Sequence, residues 1–237
     1  MLYAPRRHQA EIHKRLKRFN VLVCHRRFGK TVLAVNQLIG SGLRCKKLNP
    51  RFAYVAPLLK QAKAVAWDFL LHYGAPFRIA ANTSELRIDL VNGARITLYG
   101  ADNPDALRGI YLDGVVLDEY ADMQPRTWTE VVRPALADRR GWAIFIGTPK
   151  GQNGFYDLYE SAKADGNWYV GMFKASVARL HNSRKYSEAA QAFALWNKTK
   201  GIVLAGLVAR RASEAELYLS DTPTQDAAPE VNAQALG

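Results

Sequence analysis

Along the first 176 residues, short apolar runs alternate with longer segments whose apolar positions recur at helical spacing. That rhythm predicts an α/β domain with a mainly parallel sheet. Residues 8–18 put Ile12 and Leu16 on one helical face among basic residues. Phe19–Cys24 reads as a short strand, and Thr31–Ile39 as a helix with Val32, Leu33, Val35 and Leu38 free to pack. Phe52–Ala56 is a second strand, stopped at Pro57, and residues 60–72 are its return helix. Gly114–Asp118 and Trp142–Gly147 are further strands of the continuous apolar kind that a sheet covered on both faces requires, and Trp168–Phe173 is a candidate last strand. Between the first two of these, Pro125 fits the first turn of a helix, and Trp128, Val132 and Leu136 space out helically.

Residues 86–99 follow a different rule. Leu86, Ile88 and Leu90 alternate, Asn92–Gly93 interrupts, and Ile96 and Leu98 alternate back. This predicts a hairpin whose turn uses the positive φ angles that Asn and Gly tolerate. After residue 176 the pattern weakens. Residues 177–212 read as a helical extension or atypical linker, and residues 213–237, polar and aromatic-poor, as a flexible acidic tail.

Charge sharpens this picture. The 237 residues carry a net charge of +12, from 33 Lys and Arg against 21 Asp and Glu. Residues 214–237 hold five of the acids and no base, so residues 1–213 carry 33 against 16, or +17. Such a domain suits a polyanionic partner, or simply carries scattered surface charge. No apolar run reaches the eighteen or so residues of a membrane span, and the N-terminus lacks the apolar core of a secretion signal. The two cysteines, Cys24 and Cys45, form no framework, which fits a reducing, cytoplasmic setting.

The chemistry concentrates at strand ends. Residues 24–31 read Cys24, His25, Arg26, Arg27, Phe28, Gly29, Lys30, Thr31, a phosphate-loop pattern whose first Gly is replaced by Cys24. Gly29 lets backbone N–H groups approach phosphate oxygens, Lys30 is a point charge for the β- and γ-phosphates, and Thr31 offers a hydroxyl to Mg2+. Gly114–Glu119 is an apolar strand ending in two acids, Asp118 suited to the metal shell and Glu119 to deprotonating water. Thr148 ends another strand, where its hydroxyl can reach a γ-phosphate or merely terminate the strand. Gln9 has an amide able to pair with an adenine edge.

In order, Pro5 and Gln9, Arg26–Thr31, Tyr54–Pro57, Leu107–Gly109, Val116–Ala121 and Ile146–Pro149 resemble the ATPase domain of tailed-phage terminase large subunits over roughly residues 3–176. Terminases commonly carry an Arg-rich phosphate loop without the first Gly. The resemblance implies a P-loop NTPase fold of the helicase/terminase type, with an additional strand and a catalytic Glu. It implies Gln9 near adenine; Cys24, His25, Arg26, Arg27, Phe28, Gly29, Lys30 and Thr31 around the phosphates; Thr31 and Asp118 on Mg2+; Glu119 as base; and Thr148 in a coupling motif. Arg108 is a γ-phosphate sensor or arginine finger on this reading, or the partner of a nearby carboxylate.

The implied activity is ATP hydrolysis that drives double-stranded DNA into a procapsid. The implied partners are a portal protein, a small terminase subunit and further copies in a ring, in the host cytoplasm. After residue 176 no carboxylate ends an apolar strand, so nuclease activity is not expected. Two alternatives remain: a degenerate or truncated remnant that binds nucleotide without turnover, and another helicase-like DNA-dependent ATPase.

Overall fold

The computed structural model describes residues 3–25, 28–173, 198–199, 202–203 and 205–220. The chain divides into two compact units, Met1–Phe173 and Lys174–Gly237. The first holds the strands β1 (Phe19–Cys24), β2 (Arg51–Ala56), β3 (Arg78–Asn82), β4 (Arg87–Leu90), β5 (Arg95–Gly100), β6 (Gly114–Asp118), β7 (Trp142–Gly147) and β8 (Trp168–Phe173). They form one sheet in the order β3-β4-β5-β2-β6-β7-β1-β8. From β5 to β8 all neighbours run parallel; β3·β4 and β4·β5 are antiparallel.

Strands β1, β2, β6 and β7 are buried on both faces, which is why their sequences are continuously apolar. On β1, Leu22 and Cys24 join one apolar cluster while Val21 and Val23 join the other. Strand β6 is buried at all five positions. The first cluster is covered by α1 (Arg7–Arg15), α2 (Lys30–Arg44), α3 (Leu59–Ala62) and α4 (Asp68–Gly74), with Lys63–Trp67 wound as a π turn between the last two. The second is covered by α5 (Arg133–Ala137) and α6 (Gly154–Ala164). Thr127–Val132, just before α5, is also π-wound. Pro134 has no N–H to give to the carbonyl four residues back, and a widened turn accommodates its ring.

Three details differ from the sequence reading. The hairpin turn uses positive φ at Gly93 alone (80°), closed by a bond of 2.9 Å from the Gly93 N–H to the Leu90 carbonyl. Asn92 instead turns its amide onto the Gly42 carbonyl at 2.8 Å, capping the end of α2. Helix α2 runs on to Arg44, past the Ile39 expected as its end. An edge strand, β3, and a helix, α6, were not expected. The α6 N-terminus is set by Asn153, whose side chain accepts from the Phe155 and Tyr156 N–H groups at 3.1 and 3.2 Å.

The amino ends of the central strands are tied by a buried carboxylate. The Asp113 side chain is 2% exposed and binds Lys47 at 3.0 Å and Arg139 at 3.1 Å. It also accepts the Arg51 N–H at 3.0 Å. Burial pushes its pKa up, but these donors outweigh burial and hold it below the ordinary 3.8. A carboxylate whose folded pKa is lowered adds stability above its unfolded pKa and loses it as pH falls through the folded one. Asp113→Ala is therefore expected to cost about 1–3 kcal/mol at neutral pH, the loss limited because Lys47 and Arg139 regain water. Denaturant unfolding at neutral pH and below pH 3.8 checks this, with the gap to the parent closing in acid.

In the second unit, Lys198–Thr199 and Ile202–Val203 pair antiparallel, and α7 spans Ala205–Ser220. Helix α7 runs across residue 213, where the flexible tail was expected to begin; Glu214, Ala215, Glu216 and Leu217 are good helix formers. The remainder of the segments 177–212 and 213–237 lies outside the described residues.

Candidate functional site

Parallel pairing sets the site. Val23 of β1 lies opposite Gly147 of β7, and Ile146 lies opposite Asp118 of β6. The carboxyl ends of three strands thus finish level, and the segments after them share one edge of the sheet. Open α/β sheets bind ligands at that edge. Strand β7 sits between the strand that feeds the phosphate loop and the strand that ends in Asp118, which is the additional strand expected from the sequence.

The end of the expected phosphate loop, Phe28 and Gly29, leads directly into α2. Gly29 is its N-cap, with φ 89° and ψ 33°. A side chain there is doubly excluded: the left-handed conformation strains it, and an added Cβ would come within 2.9 Å of Gln9 Nε2. Lys30 and Thr31 open the helix, whose free N–H groups favour an anion.

Lys30 reaches across the edge. Its Nζ donates to Glu119 Oε1 and to Thr148 Oγ1, both at 2.6 Å. Glu119 Oε2 in turn accepts the Thr148 N–H at 3.3 Å. Residues from three strand ends, 118 positions apart at the widest, therefore close one small polar ring. Glu119 holds this position through a left-handed backbone, φ 51° and ψ 44°, uncommon for a residue with a side chain. Such strain persists where surroundings over-determine it, and it aims the carboxylate at Lys30 rather than along the strand.

Asp118 belongs to a second, buried arrangement. It is 5% exposed, and its Oδ1 accepts the Glu119 N–H at 3.0 Å. Its Oδ2 accepts the Tyr54 hydroxyl. Burial raises the Asp118 pKa; the Tyr54 bond opposes this and the Glu119 charge adds to it. Tyr54 is itself 1% exposed, and burial followed by the Asp118 charge pushes its pKa well up. Tyr54 thus orients Asp118. Sequence reasoning missed it because it reads as one more apolar strand position. Hard oxygen donors on Asp118 and Thr31, at a loop fit for phosphate, suit a small divalent cation such as Mg2+.

Other expected residues have different surroundings. Gln9 lies against the loop at 3% exposure, but its amide is already engaged: Nε2 donates to the Gly29 carbonyl at 3.2 Å and Oε1 accepts the Arg6 N–H at 3.0 Å. The Cys24 thiol is fully buried in the core, and burial raises its pKa well above the ordinary value. Phe28 is also a core residue, against His8, His25 and Phe173 at ring separations of 4.7, 5.7 and 5.0 Å. Its side chain, like that of Cys24, builds the loop from beneath. The His25 N–H donates to the Phe173 carbonyl at 3.0 Å. Arg108 is exposed and paired with Asp105 at 3.0 Å. Arg26 and Arg27 lie outside the described residues.

Several known proteins are similar to parts of this chain. A family model described as phage lysozyme matches residues 166–214, a stretch that excludes Lys30, Asp118, Glu119 and Thr148. Over 59 residues the chain is 51% identical to the large terminase subunit of Thermus phage G20c, covering 25% of this chain and 12% of that protein. Over 148 residues it is 29% identical to the large terminase subunit of Escherichia phage T5, covering 60% of this chain and 33% of that one. The chain thus matches at most a third of the length of these curated relatives. Among solved structures, the large terminase ATPase domain of Thermus phage P74-26 superposes with a TM-score of 0.65 at 22% identity, covering 90% of this chain and 94% of that domain. A large terminase from a thermophilic bacteriophage, in complex with ADP, superposes with a TM-score of 0.60 at 16% identity, covering 79% and 49%.

Proposed function

We propose that this chain, a relative of phage large terminase subunits with the fold of their ATPase domain, is the ATP-hydrolysing part of a motor that packages double-stranded DNA. The observation that carries the proposal is the convergence of Lys30, Glu119 and Thr148 on one point above the sheet. The ADP complex of the thermophilic-phage terminase supports nucleotide as the ligand of this fold.

The chemistry follows from these positions. The α2 N-terminus and the Gly29 turn present N–H groups to the phosphates of ATP. Lys30 exchanges its ion pair with Glu119 for the β- and γ-phosphate charge. That exchange frees the Glu119 carboxylate, still held by the Thr148 N–H, to orient and deprotonate water in line with the γ-phosphate. Asp118 and Thr31 would hold Mg2+, which would draw charge from the phosphate oxygens. Tyr54 keeps Asp118 aimed. Thr148 touches both Lys30 and Glu119, so it is placed to report the state of the nucleotide to β7 and the segment after it. Residues 1–176 form the ATPase domain on this reading, and Arg26 and Arg108 supply further charge to phosphate in the assembled ring.

The +17 of residues 1–213 supports contact with DNA mainly through phosphates. Portal protein, small terminase subunit and a homo-oligomeric ring complete the proposal by analogy with the relatives, in the host cytoplasm. No described helix is long and apolar enough to cross a membrane. The DNA half is tested by measuring duplex affinity across a salt series. Affinity that falls steeply and linearly in log–log form supports it; no measurable binding at low salt contradicts it.

A further inference from the structure

A second charged hollow lies on the β4–β5–β2 part of the sheet. Parallel register sets Arg51 of β2 opposite Arg95 of β5, and antiparallel register sets Arg87 of β4 opposite Thr97 of β5. Side chains two apart on a strand share a face, so Arg51, Arg87, Arg95 and Tyr99 stand together. With Glu85, Tyr111 and the backbone of residues 109–112 they enclose a cavity of about 320 Å³. That volume lies in the range of small-ligand sites.

The charges in this cavity do not close on themselves. Arg95 is held by Asp89 at 2.6 Å and Arg87 by Glu85 at 2.8 Å. Arg51 gives one bond of 3.2 Å to the Pro50 carbonyl and has no carboxylate partner among the described residues. The Nε of Arg87 is buried without an acceptor. Like charges directly opposite in a sheet repel, and a buried donor without an acceptor costs free energy. An oxyanion in the cavity would supply the countercharge that Arg51 lacks. Guanidinium groups match a tetrahedral oxyanion with paired N–H bonds, and Tyr99 adds a hydroxyl at the rim.

We infer that the cavity framed by Arg51, Arg87 and Arg95 is a phosphate-binding site separate from the Lys30 site. Its ligand is a phosphate group, carried either by a nucleic-acid backbone or by a free phosphate. The inference goes beyond the motor reading and does not need ATP turnover to be tested.

The test uses the whole chain and the variants Arg51→Gln and Arg51→Gln/Arg87→Gln. Inorganic phosphate and a short DNA duplex are titrated separately, and melting is followed without any ligand. The expected result is that Arg51→Gln melts at or above the parent temperature, because the opposed Arg51–Arg95 charges are relieved. At the same time it binds its phosphate ligand several-fold more weakly, and the double variant more weakly still. Turnover of ATP without DNA stays unchanged. If duplex affinity falls and the slope of log affinity against log salt shrinks by about 0.9 per lost contact, the phosphate is that of a nucleic acid. If only inorganic phosphate affinity falls, the site takes a free phosphate. Unchanged binding of both probes overturns the inference. So does a lower melting temperature with unchanged binding, which would make Arg51 a structural residue only.

Discussion

Glu119→Gln is expected to bind ATP at least as tightly as the parent and to hydrolyse it at least about 100-fold more slowly. The rate follows from the size of general-base catalysis, about 10²–10⁴-fold, because glutamine retains the shape of the side chain but accepts no proton from water. The affinity follows from the ring of contacts at the strand ends. Lys30 is held by the Glu119 carboxylate, and that pair must open before Lys30 can meet phosphate. Removing the carboxylate charge removes a competitor for the Lys30 cation. The Lys30 and Glu119 side chains are 13% and 34% exposed, so solvent already screens part of the attraction and the gain in affinity is modest. Equilibrium binding of a non-hydrolysed ATP analogue, beside steady-state phosphate release, separates the two effects. A variant that turns over like the parent would show that Glu119 is not the base.

Lys30→Ala is expected to fail one step earlier. A charge-assisted bond to phosphate contributes about 1.5–3 kcal/mol, so nucleotide affinity should fall by roughly 10- to 100-fold and turnover should drop with it. The Glu119 carboxylate then keeps the Thr148 N–H but loses its cation. It has enough exposure to regain water, so the folded protein should survive the change. Binding and turnover lost together in Lys30→Ala, against turnover alone in Glu119→Gln, would assign the two residues to grip and chemistry respectively. Equal affinity of Lys30→Ala and the parent would place the phosphates elsewhere.

How much of this could be read from the chain depended on how many partners each element has. Strands β1, β2, β6 and β7 are buried on both faces, and their continuous apolar runs announced them. Strand β3 is an edge strand with exposed central positions, so no apolar pattern marked it. The last part of α2 was hidden by Gly40 and Gly42, which weaken a helical pattern. Gly42 is there for packing: a Cβ would meet Leu90 at 3.0 Å. The start of α6 was legible in principle, through the Asn153 cap, but Gly-rich residues just before it read as loop.

The site divided in the same way. Lys30, Asp118, Glu119 and Thr148 sit at strand ends with recognisable spacing, and the parallel register brings those ends level. The roles of Tyr54, Cys24 and Phe28 depend on which face each turns to. Spacing along the chain does not state that, and the fold turns all three inward. Gln9 reads as an amide able to pair with an adenine edge, yet it is buried and bonded to the Gly29 carbonyl, against the loop's backbone. The Lys30–Glu119 pair is the least foreseeable feature, because it joins two motifs 89 residues apart.

The central claim is that this arrangement hydrolyses ATP in the service of DNA movement. The most direct measurement is phosphate release by the whole chain at saturating ATP and Mg2+, with and without linear double-stranded DNA, alongside Glu119→Gln. Mg2+-dependent turnover that rises with DNA and is lost in Glu119→Gln is expected. A chain whose melting temperature rises with nucleotide, yet which releases no phosphate even with DNA, portal protein and small subunit present, would contradict it and leave a nucleotide-binding remnant in its place.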